Sequence, residues 1–222
     1  FHIQNADYIA NMTFRDHVSP AAAIAYPIGG AGVINTSPYV QNCSSITSTG
    51  TGMRIDGNLS QGNRSMVADA FTQFNSGGIG VHLLNNGYAQ LVSIFTICTD
   101  IGILCESGGL CSLTNSNTSF GTFGLLSRGK VDLQNDGFTN GVDQFGRTFV
   151  IDGLSERPNV DQSVSFDGGT TLFNVIDTTE LDSGEVTITI GDAIATPIPD
   201  NTSVKFYKRS TITASSHTFE FV

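Results

Sequence analysis

The chain has 222 residues, enough for one large β domain or two smaller ones, and a formal net charge of −10. An acidic balance repels phosphate backbones and argues against a nucleic-acid partner. No apolar run is long enough for a membrane-spanning helix, so no membrane insertion is expected.

Gly, Ser, Thr and Asn are abundant and no long stretch carries the helical apolar period, which predicts an all-β chain. The best helical candidate, Ala21 to Ala25, lies between Pro20 and Pro27 and is a turn or two at most. Residues 1–37, including AAAIAYPIGGAG, are expected to form an N-terminal cap or connecting segment. The start at Phe1 and the strand-like end from Thr218 to Val222 read as cuts through a longer protein.

From residue 38 to 131 the sequence repeats. IGVHLLNNGYAQLVSIFTICTD (Ile79 to Asp100), IGILCESGGLCSLTNSNTSFGT (Ile101 to Thr122) and FGLLSRG (Phe123 to Gly129) align at a period of 22. Ile79, Ile101 and Phe123 share a column, as do Val81, Ile103 and Leu125, and Leu91 and Leu113; these are the predicted core columns. Apolar positions two apart are strand spacing, and short strands repeated at fixed period bury a core only by stacking. The prediction is a right-handed parallel β-helix with coils of about 22 residues. Earlier coils are expected at PYVQNCSSI, from Pro38, and at GMRIDG, where Met53 and Ile55 resemble Ile79 and Val81; MVADAFTQF resembles LVSIFTIC. A few inserted residues are expected around NLSQGN.

Some outward columns are apolar. His82, Leu104 and Leu126 share one, and Phe95 and Ile97 belong to another stretch whose next-coil partners, Asn117 and Ser119, are polar. An exposed apolar stripe marks an interface, and here it predicts a parallel homotrimer packed lengthwise. Glu106 and Arg128, one coil apart in one column, are expected to pair. Cys43, Cys98, Cys105 and Cys111 contain no C-x-x-C spacing and read as small hydrophobes; no metal site and no cofactor is expected.

The charge shifts near residue 131. Residues 1–131 hold five basic and six acidic residues, whereas 132–222 hold five and fourteen. From Asp132 the period fades. Strand-like runs remain, VTITI the clearest, separated by turn signals such as Asp167-Gly168-Gly169 and Asp182-Ser183-Gly184. Residues 132–222 are expected to be an acidic β-rich region, a small domain or wider coils, continuing beyond the fragment.

SPYVQNCSSI, GMRIDGNL and the block AFTQFNSGGIGVHLLNNGYAQLVSIFTICTDIGILCESGGLCSLTNSNTSFG resemble a family of large structural proteins from phages of marine cyanobacteria, and STITASSHTFEFV is similar to a further stretch of that family. The resemblance covers most of residues 12–222. It implies a virion protein of a tail fibre or other external appendage, with other virion or tail proteins as partners, and it supplies no catalytic residues. The alternative is a receptor-binding or glycan-degrading tailspike-like module with a host surface glycan as partner. A glycosidase needs two carboxylates flanking the bond, and residues 1–131 show no acid pair in the 22-residue register; Asp69 and Asp100 could meet across strands, but no catalytic role is expected of them. No enzyme activity is expected.

Overall fold

A computed structural model describes residues 1–26, 34–59, 64–181 and 183–220. The PIGGAG part of the expected cap, the SQGN part of the expected insertion, Asp182 and the last two residues lie outside them. Among the described residues the protein is all-β, with a single 3-10 turn at Gly57–Leu59. Its strands are β1 (Tyr8–Ala10), β2 (Thr13–Arg15), β3 (Ala22–Ala25), β4 (Tyr39–Thr47), β5 (Thr51–Asp56), β6 (Met66–Asn75), β7 (Ile79–Leu84), β8 (Tyr88–Ile97), β9 (Ile101–Glu106), β10 (Leu110–Ser119), β11 (Phe123–Arg128), β12 (Lys130–Thr139), β13 (Gln144–Asp152), β14 (Ser163–Ser165), β15 (Phe173–Glu180), β16 (Val186–Ile198), β17 (Ser203–Arg209) and β18 (Thr211–Glu220).

Two compact units form, and their boundaries differ from the expected 1–37, 38–131 and 132–222. The first unit is residues 1–129 with 210–222, and the second is 130–209. Residues 1–26 and 34–37 belong to the first unit rather than to one of their own. Their strands β1 and β2 pair with β4, and β3 pairs with β5, all parallel. The acidic region does not run on as one body either, because β18 pairs in parallel with β10.

In the first unit, seven strands form one parallel sheet in the order β1-β4-β6-β8-β10-β18, with β2 also on β4, and five form another in the order β11-β9-β7-β5-β3. From β4 to β11 consecutive strands alternate between the sheets, so each pairs with the strand two further along the chain. Ile79 lies on Ile101 and Ile101 on Phe123, at the predicted step of 22. Earlier steps differ. Met53 pairs with Val81, a step of 28, and Ala68 with Leu91, a step of 23. The GMRIDG alignment on Ile79 is therefore two residues out, because the intervening loops vary in length.

Each long strand of the seven-stranded sheet is two short strands meeting at a bend. Asn42, Ala70, Ser93, Asn115 and Ser216 all have positive φ, from 48° to 55°, and the register puts them in one column. The in–out alternation restarts there: Ala89 and Leu91 point in before the bend, Ile94 and Thr96 after it. Asn tolerates this conformation better than other non-glycine residues, and Asn42 Nδ2 donates to Asn11 Oδ1 at 2.7 Å along the same column.

The core is built from stacked columns. Ile24, Met53, Val81, Ile103 and Leu125 form one; Val40, Ala68, Leu91 and Leu113 form another. Ile79, Ile101 and Phe123 were expected to be core but are not. They stack in register, yet Ile79 and Ile101 are half-buried and Phe123 is 49% exposed. The reason is the glycine that follows each of them. A Cβ on Gly80 would lie 2.4 Å from Thr96 Cγ2 and 2.3 Å from the Gly102 carbonyl oxygen. Gly80 and Val81 are thus both buried, and the alternation slips by one. Opposite the glycines runs a buried polar column, Ser45, Gln73, Thr96 and Thr118. Cys43, Cys105 and Cys111 are buried free thiols, and Cys98 is half-buried.

The second unit is a closed antiparallel barrel in the order β12-β13-β16-β15-β14-β17. Phe149, Ile151, Val164, Val175, Val186, Ile188, Ile190, Val204 and Phe206 fill it. VTITI alternates as its sequence predicts, with Val186, Ile188 and Ile190 inside.

Candidate functional site

The strands of the first unit present two outward faces where side chains stack rung on rung, about 4.8 Å apart. On the seven-stranded sheet, Ile46 lies on Phe74 and Phe74 on Ile97, and Thr72 lies on Phe95 beside them. Phe74 is 47% and Phe95 42% exposed, and Ile97 is half-buried. Farther along, Asn117 and Ser119 replace the apolar side chains. The apolar part of this face therefore spans the middle rungs and gives way to hydroxyls and amides. Sequence reading found Phe95 and Ile97 but missed Phe74 and Ile46, whose rungs precede the clear 22-residue period.

The other face, on the five-stranded sheet, is mixed. Arg54 pairs with His82 and His82 with Leu104, and Leu126 follows on Leu104. Leu104, expected to be exposed, is 2% exposed and offers no free surface. His82 and Leu126 are half-buried. Glu106, Arg128 and His82 make one network here. Arg128 donates through Nε and Nη2 to Glu106 Oε2, at 3.0 and 2.9 Å. His82 Nε2 meets Glu106 Oε1 at 2.8 Å. The Glu106–Arg128 pair is legible in the sequence because both residues occupy one column. His82 is displaced diagonally, one rung back and one outward position along, so the column alignment alone does not select it.

The electrostatics follow from this packing. Burial pushes the Glu106 carboxyl up, but the Arg128 and His82 hydrogen bonds outweigh it and hold the carboxyl below its ordinary value. Burial lowers the His82 imidazole; Glu106 opposes this, and Arg54 and Arg128 add to it. The group is an ionised carboxylate clamped between two donors.

Asp69 and Asp100 are not brought together in the pairing. Asp69 pairs with Gln41 and Val92 within the seven-stranded sheet, whereas Asp100 lies in the turn before β9. Asp56 instead occupies the column of Leu84 on the five-stranded sheet. Its Oδ1 accepts from Asn85 Nδ2 at 3.0 Å and from the Asn58 backbone N–H at 3.1 Å. Among the described residues no group of three or more His, Cys, Asp and Glu side chains could hold a metal ion. No protein-family model and no curated protein matches the chain.

Proposed function

We propose that the first unit is a right-handed parallel β-helix and that the protein is a structural component of a bacteriophage particle, a homotrimeric rod in a tail fibre or other external appendage. The observation that carries this reading is the outward apolar column Ile46, Phe74 and Ile97 with Phe95 beside it. Stacked rungs place these side chains in a line along the stacking direction. A line of that kind suits parallel copies of the same chain, in which each rung meets its equivalent. The similarity of the central block to virion proteins supplies the particle context, and other tail proteins are the partners it implies. A cryo-EM map of the intact phage particle tests the reading. Density fitting three copies of this fold side by side in an appendage supports it, and a particle proteome lacking the chain overturns it.

The alternative is a module that binds or cleaves a host surface glycan. Cleavage has little support at Glu106. A general acid needs a raised pKa, and Arg128 and His82 hold this carboxyl down. Binding has a specific observation in its favour, a cavity beside Arg54 and Asp56.

A further inference from the structure

We propose that the cavity at the first rungs of the five-stranded sheet binds one neutral sugar ring through Arg54 and Asp56. The cavity has a volume of about 180 Å³, and Arg54, Asp56, Tyr26, Ala22, Ala25 and Pro20 are among the residues lining it. Arg54 and Asp56 are two apart on β5, so their side chains leave the same face about 7 Å apart.

Three features point to a ligand. The Arg54 guanidinium donates no hydrogen bond among the described residues. Tyr26 is 2% exposed, and its hydroxyl has no hydrogen-bond partner among the described residues. A buried polar group left without a partner is costly, and a bound polar molecule removes that cost. Asp56, by contrast, is held in place, since Asn85 and the Asn58 backbone occupy Oδ1 and leave Oδ2 free to accept.

The chemistry selects the class. Beside His2, the cavity is lined by one guanidinium and one carboxylate, Arg54 and Asp56, whose fixed charges offset each other and do not favour a phosphate or a divalent metal. A vicinal diol matches the pair, because one hydroxyl accepts from Arg54 while its neighbour donates to Asp56. The alanine and proline walls suit the C–H face of a ring. The volume is below the usual range for drug-sized ligands, roughly 300–1,000 Å³, and admits a single ring. This site does not depend on the role in the particle; it gives the glycan-binding alternative a location.

Saturation-transfer difference NMR on the purified full chain tests it. The probes are free glucose, galactose, mannose, rhamnose and N-acetylglucosamine, with inorganic phosphate and calcium chloride as charged competitors. The expected result is transfer to the ring protons of at least one sugar, unaffected by phosphate or calcium. Arg54→Ala and Asp56→Asn should each weaken binding about tenfold, while the barrel variant Arg147→Ala binds as the parent does. Thermal unfolding checks that each variant folds, and Tyr26→Phe replaces any that does not. Absence of transfer to every sugar overturns the proposal, as does transfer that Arg54→Ala and Asp56→Asn leave unchanged or that phosphate displaces.

Discussion

At Ala70 the backbone has φ of 55°, in a column where its neighbours across the sheet are Asn42 and Ser93. A β-carbon in the left-handed region costs about 1 kcal/mol, and asparagine bears it best because its amide bonds locally. Ala70→Asn should therefore stabilise the first unit by up to about 1 kcal/mol, measured as a raised urea midpoint; a lowered midpoint would contradict the bend assignment. Titration gives a second expectation. Burial depresses the His82 and His217 imidazoles in the folded state, against the pull of Glu106 in the case of His82. The unfolded chain then binds more protons, so stability falls as the pH drops below about 6.5. Glu106 is also depressed, and its stabilisation is present above the ordinary carboxyl range and lost as the pH falls through its folded value. The melting temperature should be lower at pH 5 than at pH 7.5, with a smaller difference in His82→Gln; an equal difference in the variant would remove His82 from the account. The sequence shows Glu106 and Arg128 directly, one above the other, but the diagonal step to His82 becomes visible only once the sheet has a register.

Among the elements, the glycine column Gly52, Gly80, Gly102 and Gly124 decides how closely the five-stranded sheet approaches the buried polar column. At Gly80 an added methyl meets the Gly102 backbone at 2.3 Å, which only a backbone shift relieves. Gly80→Ala should cost about 1–3 kcal/mol, and differential scanning calorimetry that finds no loss would refute the close approach. The same glycines explain what the repeat does and does not reveal. The 22-residue step gives the pairing of β7, β9 and β11 without coordinates, because the turns between those strands are equal in length. Strict alternation then assigns Ile79, Ile101 and Phe123 to the interior. The glycine breaks the alternation, and a pattern of apolar letters carries no sign of the break. The steps of 28 and 23 upstream hide the earlier rungs for a different reason, since loop length is free where it faces solvent.

Across the whole molecule, the barrel is an insertion in a turn. Glu106 and Leu110 flank the three residues between β9 and β10; their partners one rung on are Arg128 and Thr211. In the later rung the second unit, residues 130–209, occupies that turn. The shift to acidic composition marks where the insertion begins to within a few residues. The return at Ser210 leaves no such mark, because β18 is largely exposed and its residues are mostly polar. Joining Gly129 to Ser210 through one added glycine restores a three-residue turn. That shortened chain should fold cooperatively with β18 still protected from hydrogen exchange; rapid exchange throughout β18 would show that the barrel is needed to close the rung. Self-association is the claim on which the functional reading rests, and static light scattering measures it directly. The expected mass is three times the 23.5 kDa of one chain, falling to one when Phe74→Ser and Phe95→Ser are combined, whereas a monodisperse single chain for the parent protein would contradict the trimer.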